Sequence, residues 1–149
     1  MLCPATILFI SNFELMFKTE IVHPENRQTN FTTGAFSAAV AVDGWLYISG
    51  QAPIDYKSGE FKLGDIESET RLTMHNIESL LREAGCGWDD VVKCTVHLAD
   101  INEFPRYNEV YASYFKGVKP ARTTVQSVLA NGIRIEIDAI ARIQIQPHH

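Results

Sequence analysis

Ile133-Arg134-Ile135-Glu136-Ile137-Asp138-Ala139-Ile140-Ala141-Arg142-Ile143 alternates with the period of a β-strand, and its reading decides the fold class. Ile133, Ile135, Ile137, Ala139, Ala141 and Ile143 make one apolar face; Arg134, Glu136, Asp138, Ile140 and Arg142 make the other. A strand of this kind belongs to a sheet with helices on one side. The mixture of charges with Ile140 on the other side is that of a partly buried subunit contact. Upstream, Pro120-Ala121-Arg122-Thr123-Thr124-Val125 alternates in the same period, and Asn131-Gly132 between the stretches is a strong hairpin signal. The two stretches therefore read as antiparallel neighbours. An arginine opens the first and an acid lies inside the second, a pairing able to bind an anionic substrate and to handle a proton or a water.

The rest of the chain supplies the partners of these strands. Residues 19–22 form a short candidate strand ended by His23-Pro24, and a polar loop covers 25–33. Residues 36–42 and 45–49 read as strands joined by Asp43-Gly44 in a type I′ turn. Residues 56–64 read as a polar loop. A long helix follows, with Asp65 as N-cap, Met74, Ile77, Leu81 and Ala84 as its apolar stripe, and Gly85 past its end. Glu67–Arg71 and Glu78–Arg82 are its expected i,i+4 pairs. Residues 91–98 are a buried strand on which Cys94 shares a face with Val92, Val96 and Leu98. A second helix over 102–115 carries Phe104, Tyr107, Tyr111 and Phe115 at helical spacing, a core stripe rather than a base-stacking platform. The order is β-β-β-α-β-α-β-β, an α+β domain of six strands whose two helices can cover only one face of the sheet.

Composition narrows the function classes. At 149 residues, 46% hydrophobic and 21% charged, the chain reads as one globular domain. A net charge of −5 without a run of lysine or arginine argues against nucleic-acid binding, but a small anion remains compatible with one local arginine. Cys3, Cys86 and Cys94 suggest no disulfide framework, which fits a reducing cytoplasm. Residues 1–17 lack a basic n-region and a cleavage site and are too short and interrupted to span a membrane. They read as an N-terminal extension, disordered or arising from an upstream start codon, ahead of a single domain over 18–149. His75 and His97 show no metal-ligand spacing and read as structural or surface residues, and His148 and His149 as a disordered end.

Taken together, several motifs resemble the RidA/YjgF family of enamine/imine deaminases, over about residues 34–143. They are Ser49-Gly50-Gln51-Ala52-Pro53, Gly64-Asp65-Ile66 with Thr70-Arg71, and Asp90-Val91-Val92-Lys93. Further on come Tyr107-Asn108-Glu109-Val110-Tyr111, the segment 120–125 and the segment 135–141. The resemblance implies a chorismate-mutase-like mixed sheet assembled as a homotrimer with clefts between subunits. It implies hydrolysis of 2-imino and 2-enamino acids, such as 2-aminoacrylate, to 2-keto acids and ammonia, without metal or organic cofactor. It places the carboxylate-binding arginine at Arg122, the water-associated glutamate at Glu136, and pocket residues at Ser49 and Asn108. Thr124 falls where the family presents its backbone to the substrate. Where the family has glycine-proline-tyrosine this chain has Gly34-Ala35-Phe36, so a pocket hydroxyl is absent. The Asn131-Gly132 turn and the segment before Pro120 are also shorter than in some members.

Each residue has a structural alternative. Arg122 can be an ion-pair partner of Glu136 or Asp138, and Glu136 a partner of Arg134 or Arg142. Ser49 can be a strand-end hydroxyl bonded to backbone, and Asn108 a helix residue tied to a neighbouring loop. Rival functions are a non-catalytic trimer that binds small carboxylates and a single-stranded RNA nuclease. The acidic balance and the lack of a histidine pair oppose the second.

Overall fold

In the computed structural model, residues 17–26 and 35–144 are described. Six strands form one sheet: β1 (Thr19–Ile21), β2 (Ala39–Val42), β3 (Trp45–Gln51), β6 (Val91–Leu98), β7 (Ala121–Gln126) and β8 (Ile135–Arg142). A small hairpin, β4 (Ile54–Asp55) with β5 (Glu60–Phe61), lies where the sequence suggested only a polar loop. Two α-helices, α1 (Ile66–Glu83) and α2 (Phe104–Ala112), complete the domain. No helix among the described residues is long and apolar enough to cross a membrane. The extension read at residues 1–17 lies outside the described residues except for Phe17, as do His148 and His149.

Strand order across the sheet is β1-β2-β3-β8-β6-β7. Asp43 and Gly44 both have positive φ, 52° and 75°, which joins β2 to β3 through the expected type I′ geometry. The expected β7–β8 hairpin does not form. β8 runs antiparallel to both β3 and β6, while β7 lies parallel to β6 on its other edge. Asn131 and Gly132 do take positive φ, 61° and 71°, but inside a 3-10 turn over Ala130–Gly132. Asn131-Gly132 turns the chain but closes no hairpin, because burial decides the pairing. The apolar face of β8 is all but fully buried at Ile135, Ile137, Ala139 and Ala141, and the strand takes a central place. The parallel β6–β7 pair needs a helical crossover, and α2 supplies it.

The helices cover the face that carries Leu46, Ile48, Cys94, Val96, Leu98 and the apolar side of β8, all in one core with Met74, Ile77 and Leu81. Asp65 caps α1 by accepting from the Ser68 N–H at 2.8 Å. The Arg82–Glu78 pair forms at 3.3 Å, but Glu67 binds Arg106 at 2.7 Å instead of Arg71, because α2 brings a guanidinium within reach of its exposed side. A 3-10 turn over Ile101–Glu103 takes the first residues of the expected second helix, and α2 stops at Ala112, before Phe115. Its Tyr107, Tyr111 and Phe115 are core residues as expected. Val92 is not beside Cys94: a register irregularity between Val91 and Lys93 turns Val91 inward and leaves Val92 exposed. Among the described residues, no helix lies over the opposite face of the sheet, which carries Tyr47, Val125, Glu136, Asp138 and Ile140.

Candidate active site

Arg122 lies on β7 opposite Cys94, on the helix-covered face. Its Nη1 donates to Asn108 Oδ1 at 2.7 Å, and its guanidinium carbon sits 4.8 Å from the Tyr111 ring centroid and 5.4 and 5.6 Å from those of Phe104 and Tyr107. The aromatic stripe of α2 therefore has a second task besides filling the core: it holds the cation by its ring faces. Burial raises the pKa of Tyr107, Tyr111 and Cys94, so none of them ionises to neutralise Arg122. The Thr124 hydroxyl shares a 2.6 Å hydrogen bond with the Tyr107 hydroxyl. β7 is the edge strand of the sheet, and its outward backbone groups remain open to a ligand.

Glu136 belongs to the other face. On β8 it stands opposite His97, among residues that alternate away from the core. Its carboxyl group lies over Gly50: a Cβ built there would meet Glu136 Cδ and Oε1 at 2.9 Å. Glu136 has no hydrogen-bond or ion-pair partner among the described residues. The arginines that might have neutralised it are engaged elsewhere. Arg134 binds Gly64, Glu69 and Glu103, and Arg142 binds the Asp43 carbonyl and stacks over Trp45. Glu136 opens into a cavity of about 340 Å3 walled by Phe36, Ile54, Phe61, Val128, Leu129 and Ile133. Tyr56 and Gln51 line its floor, joined by a 3.0 Å hydrogen bond from the Tyr56 hydroxyl.

Of the residues singled out in the sequence, the single chain joins Arg122, Asn108 and Thr124 in one cluster and Phe36 and Glu136 in another. Ser49 donates to the Ser37 carbonyl at 2.6 Å, the backbone role weighed for it. Arg122 and Glu136 lie on opposite faces of the sheet, so within one chain neither is the other's ion-pair partner. The cavity walls at Ile54, Phe61, Val128 and Leu129 escaped the sequence reading. They are apolar residues in segments that carry no strand or helix period of their own. Among the described residues no group of three or more His, Cys, Asp or Glu could hold a metal ion.

The pattern of the Endoribonuclease L-PSP family matches residues 27–143. A RutC family protein of Pyrococcus horikoshii is 45% identical over 123 residues, covering 82% of this chain and 96% of its own. A rat protein named 2-iminobutanoate/2-iminopropanoate deaminase is 47% identical over 109 residues, covering 72% of this chain and 80% of its own. Among solved structures, a Rid-family protein of Yersinia pestis superposes with a TM-score of 0.78 at 38% identity, covering 85% of this chain and 100% of its own. With the six-stranded sheet, its two helices and these relatives in agreement, the chain belongs to the Endoribonuclease L-PSP family, the RidA/YjgF proteins.

Proposed function

We propose that the protein hydrolyses reactive 2-enamino and 2-imino acids, such as 2-aminoacrylate, to 2-keto acids and ammonia, using water alone as co-reactant. The observation that carries this reading is a cation and a carboxylate without ionic partners among the described residues. Arg122 is bonded only to a neutral amide and aromatic rings, and Glu136 to nothing among the described residues. A guanidinium fork suits a 2-imino acid carboxylate. An enamine first tautomerises to its imine, and water then adds to the protonated imine carbon as Glu136 takes one of its protons. The resulting carbinolamine expels ammonia once its nitrogen is protonated, and its hydroxyl gives up a proton as the C=O bond of the 2-keto acid forms.

Because Arg122 and Glu136 face opposite ways on one sheet, a complete site needs two copies, the Arg122 side of one against the Glu136 side of the next. Such a contact is head-to-tail, and a head-to-tail contact gives a ring where its rotation closes and an open filament where it does not. This supports a homotrimer with intersubunit sites. The reading takes residues 18–149 as the working domain, in the cytoplasm, with no nucleic-acid or membrane partner.

The cavity walls set the preference. Phe36 keeps an apolar surface but cannot donate a hydrogen bond, worth about 0.5–1.5 kcal/mol, or roughly two- to tenfold. Imino acids with bulky apolar side chains are therefore favoured over the smallest polar ones, and Phe36→Tyr raises turnover of 2-aminoacrylate by no more than about tenfold. The test is ammonia release from a panel of freshly generated 2-imino acids of graded size. Binding of small carboxylates without ammonia release from any imine would make the protein a carboxylate-binding module instead.

A further inference from the structure

Beside Glu136 lies a second polar couple that the proposed chemistry has not used. His97 occupies β6 on the helix-free face, half-buried, and its Nδ1 is 2.8 Å from Ser127 Oγ. Ser127 follows β7 directly and is itself held by a hydrogen bond from its N–H to the Leu98 carbonyl at 2.9 Å. Across β6 and β8, the residue opposite His97 is Glu136. Directly opposed residues of an antiparallel pair have Cβ atoms about 4.5–5.5 Å apart and point the same way. The cavity that holds Glu136 and the neighbouring groove that holds Ser127 share Val128 and Leu129 as a common wall.

The other charged groups on this face are turned to other partners or stand further along the strands. Lys93 donates to the Thr123 hydroxyl at 2.9 Å, Asp138 stands opposite Thr95, and the Arg134 side chain is drawn to Glu69, Glu103 and Gly64. On the β7 side the residue opposite His97 is the uncharged Val125. Among the described residues, Glu136 is thus the ionisable group that β6 and its two neighbouring strands place against this imidazole.

We propose that His97, oriented by Ser127, is a positioning residue that exchanges a proton with Glu136 during imine hydrolysis. The inference rests on the deaminase reading above. The chemistry calls for such a group. When water adds to the protonated imine, its oxygen forms the C–O bond, the C=N π pair moves to nitrogen, and one of its protons passes to Glu136. When the carbinolamine collapses, its nitrogen receives a proton, the C–N bond breaks with its electron pair on nitrogen to release ammonia, and the hydroxyl O–H bond breaks as C=O forms, its proton passing to the carboxylate just vacated. One carboxylate must therefore take a proton early and give one up late. An imidazole alongside can hold the proton between the two events and return the carboxylate to its charged form. Histidine is suited to this because its ordinary titration falls between pH 5 and 8. The Ser127 contact occupies Nδ1 and leaves Nε2 for exchange, with no protein partner among the described residues.

The test is the pH dependence of kcat and KM for ammonia release, corrected for spontaneous hydrolysis, in the wild type, His97→Gln and Ser127→Ala. Glutamine keeps a polar group for Ser127 but cannot titrate. The expected result for His97→Gln is a roughly tenfold or greater fall in kcat, the low end of acid–base contributions being about 10²-fold for a group in direct contact. KM should be unchanged, and the activity limb near neutral pH should disappear. Ser127→Ala should retain that limb with a smaller loss of kcat. An unchanged pH profile in His97→Gln, or a change confined to KM, overturns the proposal. If His97→Gln does not fold, Ser127→Ala decides: wild-type kcat with a wild-type profile overturns it. A wild type that releases no ammonia at any pH overturns the deaminase reading and this inference with it. Wild-type turnover with an indifferent His97→Gln overturns this inference alone.

Discussion

At the scale of single residues, the proposed site rests on charges that the described residues leave unneutralised. Arg122 is held by one amide oxygen and three ring faces, which fix its orientation without cancelling its charge. Arg122→Lys keeps the charge but loses the fork. With a charge-assisted hydrogen bond worth about 1.5–3 kcal/mol, kcat/KM should fall roughly ten- to a hundredfold. Steady-state kinetics on a correctly assembled mutant check this, and near-native turnover would remove Arg122 from the carboxylate site. Glu136→Gln should keep KM and lose about 10²–10⁴-fold in kcat, the range for acid–base help; an unchanged rate would leave Glu136 a structural residue. Gly50 makes a separate prediction. A methyl group there would sit 2.9 Å from the Glu136 carboxyl, and a flexible carboxylate moves more easily than the backbone of two strands. Gly50→Ala should therefore lower kcat while changing stability by no more than about 0.5 kcal/mol, the usual range for exposed sites. Equal loss of both in parallel kinetic and urea-unfolding measurements would show that Gly50 supports the sheet rather than the carboxylate.

At the scale of elements, the short edge strand β1 is anchored by the residue that follows its tail. His23 is fully buried, stacks on Tyr56 with ring centroids 3.9 Å apart, and has no hydrogen-bond partner on either ring nitrogen among the described residues. Burial, helped by the charge of His75, lowers its pKa from 6.5 to about 4. The folded state thus holds the neutral ring, while the unfolded chain protonates it at 6.5. Stability from this group is complete above pH 6.5, declines as pH falls from 6.5 toward 4, and is level below that. The span is worth about 3 kcal/mol at about 1.4 kcal/mol per pH unit. Urea midpoints at fixed protein concentration should fall across this window in the wild type. In His23→Phe, which keeps the ring stack, that fall should be largely absent. Because Tyr56 also floors the cavity, acid release of β1 should reach the site before global unfolding.

At the scale of the whole molecule, the sheet has one covered face and one open face, and the proposed site uses both. The exposed Tyr47 and Val125 on the open face give a neighbouring copy an apolar surface to bury. Sedimentation or mass photometry at micromolar concentration should show a trimer; monomer alone would sink the intersubunit site. A sharper test mixes inactive subunits. If each site takes Arg122 from one copy and Glu136 from the next, refolding Arg122→Lys with Glu136→Gln in equal amounts rebuilds some wild-type sites. About a quarter of the sites should recover in a randomly mixed ring. No recovery, with mixed oligomers demonstrated by mass spectrometry, would place both residues in one chain's site.

How much of this was written in the chain depends on how far apart the deciding residues lie. The alternation of β8, the Asp43-Gly44 turn, the Asp65 cap and the aromatic stripe of α2 were legible, because each depends on residues within a turn or two of one another. The motifs around Arg122 and Glu136 also named the family. The strand partner of β7 was not legible. Asn131-Gly132 supplies a correct local turn, but the choice of neighbour rests on which strand buries the most apolar surface at the centre of the sheet, and that competition runs across the whole chain. The inward turn of Val91, the cavity walls at Phe61 and Val128 and the His97–Ser127 couple depend likewise on distant pairings. The sequence by itself determined the elements and the chemical groups they carry. Only the tertiary structure decided that Arg122 and Glu136 face opposite ways, because a side chain's face is set by the register of its strand against its neighbours, and register is a property of the assembled sheet.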